Sequence, residues 1–176
     1  SITFSYLDQE GTISNSDYNR FGLGLNLNRN ISKTFKAGTS TSFANSITNG
    51  VKTGTDKSDA ASAGVIRSAI TFPSTLTERI VYDGVGDAFI TNPYIYVNEV
   101  LNRVKGLNIF SSSYVEATFL KDFKFRQNIG FSSATSTRDQ YYPRTVYEGF
   151  AAKGVGLKSD NVWNSGIAES ILTYNK

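Results

Sequence analysis

The carboxylates are the residues of this chain best suited to acid–base chemistry, because the sequence contains no histidine and no cysteine. Glycoside hydrolysis, the commonest reaction of paired carboxylates, requires two acids that converge on one bond. The spacing of Glu116, Asp122, Asp160 and Glu169 predicts no such pair. We therefore predict that the chain is not an enzyme and that it has no catalytic residues.

Two groups of aspartates, 56 with 59 and 83 with 87, carry the oxygen ligands that Ca²⁺ takes. Neither stretch has the spacing of an EF-hand loop, so solvated loop acids are the better interpretation. Without cysteine, the chain forms no disulfide and no thiolate metal site. We predict no metal and no cofactor.

The best candidates for ligand binding cluster in the last third of the chain. They are aromatic side chains and one guanidinium: Tyr141, Tyr142, Arg144, Tyr147 and Trp163. Aromatic faces stack on sugar rings, and arginine anchors polar ligands. The alternative, which we favour, is that these side chains pack their loop on itself or dock a covering protein.

The charge distribution argues against a nucleic-acid partner. The 18 basic and 15 acidic residues give a net charge of +3, and both signs are scattered along the chain. Proteins that track phosphates cluster lysine and arginine. The basic excess is interpreted as a solvated surface.

The elements that position these residues are strands, because apolar and polar residues alternate with period two. Phe21, Leu23, Leu25 and Leu27 are one example. The pattern predicts six strands: from Ile2, 18–29, 35–46, 107–120, 123–136 and from Val162 onward. Short helices are predicted over 58–70 and 94–104 within the first long loop.

The connections between these strands alternate between very short and very long. The predicted turns at 30–34 and 121–122 are tight, whereas 48–106 and 137–160 are long. The central strands reach about 12–14 residues, and soluble strands usually have about 5–6. This layout is typical of an outer-membrane β-barrel, with periplasmic turns and extracellular loops.

The alternation then assigns the two faces of the sheet. Odd-numbered side chains of the central hairpins are predicted to touch lipid, and their even-numbered neighbours to line the lumen. An aromatic girdle at the turn end would contain Phe35, Phe119 and Phe123, with Tyr18 and Phe43 near the other rim. On strand six, even positions are predicted to face lipid, although Ile171 conflicts with this.

The predicted fold is therefore all-β: an antiparallel transmembrane β-barrel segment, about six strands of a larger barrel. Six strands cannot close a useful barrel, so the piece must pair with further strands. The absence of methionine also indicates an excerpt or processed piece of a longer protein. Two alternatives remain open: a soluble β-sandwich that binds carbohydrate, and a pore-forming assembly to which each copy contributes strands.

Several segments, taken together and in order, carry a resemblance to a known family. They are 17–21, 25–27, Asn92-Pro93, 119–131, Tyr141-Tyr142-Pro143, Trp163 and 172–176. This set resembles the barrel of SusC/RagA-type TonB-dependent transporters of the Bacteroidota outer membrane. The resemblance covers nearly the whole chain and is weakest across 48–90.

The resemblance implies import of an oligosaccharide or peptide across the outer membrane. It also implies three partners: membrane lipid, a SusD-like lipoprotein lid over the extracellular loops, and TonB acting through a plug inside the barrel. Residues 1–176 would then be part of the receptor barrel, with no plug domain present.

Overall fold

The computed structural model describes residues 1–52, 64–75 and 92–175. Six strands form one antiparallel sheet in which the order along the chain is the order in space. The strands are β1 (Ile2–Glu10), β2 (Asp17–Asn30), β3 (Phe35–Asn49), β4 (Leu101–Phe119), β5 (Phe123–Tyr142) and β6 (Val155–Tyr174). The short helices are α1 (Gly64–Thr71), α2 (Pro93–Glu99) and α3 (Tyr147–Phe150). The all-β prediction is confirmed.

The strands are longer than the sequence pattern predicted. The helix predicted over 94–104 ends at Glu99, and Leu101 already pairs with Tyr141 at the start of β4. Gly106, just beyond the predicted helix, lies inside β4 opposite Ser46 of β3. The predicted boundaries were wrong because the alternation weakens where both faces of a strand are polar.

The second long connection is correspondingly shorter. β5 and β6 remain paired up to Tyr142 and Val155, so residues 143–154 form the whole link. In the first long connection, α1 overlaps the helix predicted over 58–70, while 58–63 and the aspartates at 56, 59, 83 and 87 lie outside the described residues.

The pairing register divides the side chains between two faces. Odd residues of β2–β5 share one face with even residues of β1 and β6, because Ile2 pairs with Leu25 and Phe125 with Leu172. We call this the apolar face and the other the polar face. The predicted orientation of strand six is confirmed, and Ile171 lies on the polar face, two residues from Glu169.

The apolar face is not covered by another layer within the described ranges. Leu23 is 45% exposed, Leu27 55% and Ile129 58%. The buried hydrophobic residues that the structure describes instead form a small cluster beside the helices: Val65, Ile95, Tyr96, Tyr142 and Val146. Among the described helices, none has the length and apolarity needed to cross a bilayer.

Aromatic side chains meet at the turn end of the apolar face. The rings of Phe119 and Phe123 stack with centroids 5.7 Å apart, and Phe123 lies 4.9 Å from Tyr174. Phe43 also lies on the apolar face, 6.3 Å from Phe21. Tyr18, predicted to lie near the same rim as Phe43, pairs with Thr48 and belongs to the polar face, so the two rings do not share a face.

Candidate functional site

The middle of the polar face carries uncharged side chains, most of them small. One register row across five strands contains Gly22, Ala44, Asn108, Ala134 and Trp163. Beside it, a depression of about 450 Å³ extends toward β1. Its lining includes Thr3, Ser5, Arg20, Gly24, Ser42, Phe110 and Ser132. Hydroxyl and amide groups next to exposed rings suit a hydrated organic solute better than an apolar one.

A charged cluster lies on the same face, near the turns. The Glu116 carboxylate is mostly buried and forms ion pairs with two cations, Lys124 Nζ at 3.4 Å and Arg126 Nη1 at 3.8 Å. Arg126 Nε–H also donates to Asn128 Oδ1 at 2.9 Å, and Asn128 donates to Glu169 at 3.0 Å. These contacts connect β4, β5 and β6.

Tyr114 extends this cluster toward β2 by crossing a glycine of β3. The Arg126 guanidinium lies 4.1 Å from the centre of the Tyr114 ring, and the Tyr114 hydroxyl donates to Asn28 Oδ1 at 3.2 Å. The ring fits because Gly38 has no Cβ, which would lie 2.5 Å from Tyr114 Cε1. A cation–π contact and a cross-strand bond thus depend on one missing methyl group.

At the opposite end, the helices form a compact buried cluster. The Tyr96 hydroxyl donates to Glu148 Oε1 at 2.5 Å, and Lys52 Nζ lies 3.6 Å from the same oxygen. Burial, followed by the hydrogen bond to Glu148, raises the pKa of Tyr96 far above its usual value. The Tyr96–Glu148 hydrogen bond, the Lys52–Glu148 ion pair and the shared buried cluster therefore hold the first and second long connections together.

The five predicted ligand-binding residues do not form one group, because they lie at different positions along the strands and on both faces of the sheet. Tyr142 is 8% exposed in the buried cluster, and Tyr141 lies on the apolar face, packed against Gly154. Arg144 is exposed in the link between β5 and β6, and the side chain of Tyr147 lies outside the described residues. The packing alternative fits Tyr142; ligand binding by this set stays a prediction.

Trp163 is separated from the others. It is 55% exposed on the polar face, opposite Ala134. Ala134 precedes Tyr142 by eight positions along β5, which corresponds to about 27 Å of extended strand. Among the members of the set whose side chains are described, Trp163 is the one whose ring lies on the uncharged middle of the polar face.

The sequence analysis assigned the even-numbered residues of the central hairpins to one face, but it missed Phe110 and the contacts within that face. Phe110 was not placed because it interrupts the polar positions of β4, although it is 50% exposed beside the depression. The contact of Tyr114 with Arg126 depends on the register between β4 and β5, which alternation alone does not supply. A glycine four residues into β3, at Gly38, was the one visible sign of a close approach.

Comparison with known proteins gives one informative result. The chain is 27% identical over 180 residues to "TonB-dependent receptor P3" of Formosa agariphila. This chain is distantly related to a TonB-dependent receptor. The alignment covers 99% of the chain but 18% of that receptor, so the chain spans under a fifth of the relative's length. No protein-family model matches the chain.

Proposed function

We propose that this chain is part of the wall of an outer-membrane β-barrel that imports nutrients with energy supplied through TonB. The observation that carries the proposal is the uncovered apolar face. Leu23, Leu25, Leu27 and Ile129 are all at least 40% exposed there. An apolar surface of this extent on a folded sheet marks contact with a membrane or another apolar partner.

The apolar side chains also run obliquely across the register, as they would on tilted strands. The apolar block Phe21–Leu27 of β2 corresponds, row by row, to Ile129–Thr135 of β5. The apolar block of β5 itself is Phe123–Phe131. The centre of the β5 block lies about five residues, or ~17 Å, nearer the turns, and three strand steps of ~4.8 Å separate the two strands. The apolar band is thus inclined by roughly 50°, close to the tilt of membrane barrel strands.

The sheet has two open edges, and both require partners in lipid. β1 and β6 each pair on one side, and β6 is exposed at nearly every position. Unpaired backbone groups cost several kcal/mol each in hydrocarbon. We infer that further strands of a longer polypeptide pair with β1 and β6 and that residues 1–176 are part of that receptor barrel.

The orientation follows from the connections. We place the turns 31–34 and 120–122 in the periplasm and the segments 48–106 and 137–160 outside the cell. The resemblance to SusC/RagA-type transporters supports an oligosaccharide or peptide as substrate and a SusD-like lid as partner. Tyr141, Arg144 and Tyr147 are then candidates for contact with substrate or lid.

The test uses the full-length parent protein expressed in a Gram-negative host. It should sediment with the outer membrane, require detergent for extraction, and accumulate fluorescent oligosaccharide or peptide only when TonB is present. A peptide tag inserted at residues 151–153, an exposed turn, should bind antibody on intact cells. A parent that remains soluble and monomeric without detergent would support the sandwich alternative instead. A detergent-resistant ring of copies would support the pore-forming assembly.

A further inference from the structure

The basic side chains of the sheet are unequally divided between its two faces. The polar face carries five basic residues, Arg20, Lys36, Lys124, Arg126 and Arg138, and two acidic ones, Glu116 and Glu169. The apolar face carries four basic residues, Arg29, Arg103, Lys105 and Lys158, and five acidic ones, Asp8, Glu10, Asp17, Asp139 and Asp160. Scattered charges in sequence thus become a positive surface when the sheet forms.

Three of the cations on the polar face have no carboxylate partner within the described parts of the chain. Lys124 and Arg126 share Glu116, whereas Arg20, Lys36 and Arg138 make no ion pair there. All three are exposed, and the contact of Arg138 is a hydrogen bond from Nε–H to Asn102 Oδ1 at 3.3 Å. Their charge is therefore available to a ligand.

These cations lie toward the two ends of the face, with neutral groups between them. Arg20 and Arg138 lie toward the connections at 11–16 and 143–154, and Lys36 adjoins the turn at 31–34. The middle contains exposed rings of Phe110 and Trp163 at 50% and 55%. Their register positions differ by two strands and two residues, which is about 12 Å.

We propose that the polar face binds an anionic oligosaccharide, a short sugar chain that carries carboxylate or sulfate groups. This inference rests on the proposed function, because it treats the polar face as the wall of the import path. The unpaired cations attract the charged groups at long range. The two rings stack on sugar faces, and the serine and asparagine side chains between them replace water around the hydroxyls.

A peptide of acidic residues shares the charge but fits the middle of the face less well. Sugar rings present flat C–H faces that stack on aromatic side chains. Two sugar rings one or two units apart in an oligosaccharide could each stack on one of the rings of Phe110 and Trp163, whose register positions are about 12 Å apart. The depression places hydroxyl groups of Ser5 and Ser42 beside Arg20 and the Phe110 ring, a mixture of groups that favours the same choice. The binding experiment therefore includes an acidic peptide as the competing ligand.

The experiment measures binding to the detergent-solubilised parent protein by calorimetry. The probes are tetragalacturonate, a chondroitin sulfate tetrasaccharide, neutral maltotetraose and tetraglutamate. The test variant combines Arg20→Gln, Lys36→Gln and Arg138→Gln. The control combines Arg29→Gln, Lys105→Gln and Lys158→Gln, which removes the same charge from the apolar face.

The test variant should bind at least one anionic tetrasaccharide about tenfold more weakly at about 50 mM NaCl, and the difference should shrink at about 500 mM. The control should bind as the unmodified parent does. The inference would be overturned if both variants lost the same affinity for the anionic sugars. It would also be overturned if the unmodified parent bound neutral maltotetraose as tightly as the anionic sugars, or if it bound neither anionic sugar. Tighter binding of tetraglutamate would overturn the choice of carbohydrate. Fractionation of the same parent tests the proposed function separately, because a protein in the outer membrane can still fail these binding tests.

Discussion

Leu25→Arg tests the assignment of the two faces most directly. Leu25 is 40% exposed on the apolar face and lies inside the apolar block Phe21–Leu27 of β2. Its register neighbours are Ile2 and Thr41, so no carboxylate faces it across the strands. A cation at the bilayer midplane costs about 2–4 kcal/mol, and Leu25 is near the centre of its block. Insertion of the folded barrel should become roughly 30- to 900-fold less favourable.

Asn26→Arg is the matched control. It adds the same side chain one residue later, on the polar face, where Asn26 pairs with Ser40 and accepts from Asn28 at 2.9 Å. We expect this change to cost less than about 1 kcal/mol, because the guanidinium reaches water. Leu25→Ala separates the loss of the leucine from the gain of a charge.

The assay is refolding of the full-length parent from urea into phosphatidylcholine vesicles. Folded protein is detected by its heat-modifiable mobility on a gel, and the urea midpoint gives the free energy of unfolding. Leu25→Arg should lower the folded yield and the midpoint, and the other two variants should remain near the unmodified protein. If Leu25→Arg and Asn26→Arg lose the same free energy, the facing assignment and the membrane function derived from it are refuted.

Two further predictions concern packing. Gly38→Ala should destabilise the parent by about 1–3 kcal/mol, because the new Cβ would lie 2.5 Å from Tyr114 Cε1; Gly156→Ala, where nothing lies within 4 Å, should not, and equal urea midpoints for the two would contradict the contact. Tyr96 should stay protonated in the folded protein above pH ~10, where an unfolded tyrosine ionises. Since its folded pKa is raised, stability should fall as pH rises beyond that point, and Tyr96→Phe should reduce this fall. Ultraviolet absorbance follows the ionisation, and a normal pKa for every tyrosine would contradict the burial.

The sheet itself could be predicted from the sequence because alternation with period two is strong in its central hairpins. Phe21 to Leu27 and Phe123 to Phe131 define both the face and the turn between neighbouring strands. The ends of β4 and β5 farthest from their connecting turn, 101–106 and 137–142, were not predicted as strand, and the reason is physical. Leu101 to Lys105 carry polar side chains on both faces, and nothing in their local pattern separates a strand from a loop.

The candidate site was harder to predict from the sequence because it consists of residues that are distant along the chain. Arg126 and Tyr114 meet across β4 and β5, and Glu148 meets Tyr96 over 52 positions. Tyr141 and Tyr142 were predicted to lie in the loop 137–160, but they end β5, where consecutive side chains point to opposite faces. Trp163 was identified by type, yet its surroundings depend on pairing with Ala134.

The order β1 to β6 gives this sheet a modular character. Every neighbour in space is also the next strand in the chain, so a duplicated or deleted hairpin leaves the direction and facing of the remaining strands intact. The width of such a sheet can therefore change during evolution in steps of two strands, while the remaining strands keep their pairing. A single-strand change would instead reverse the direction of every strand that follows.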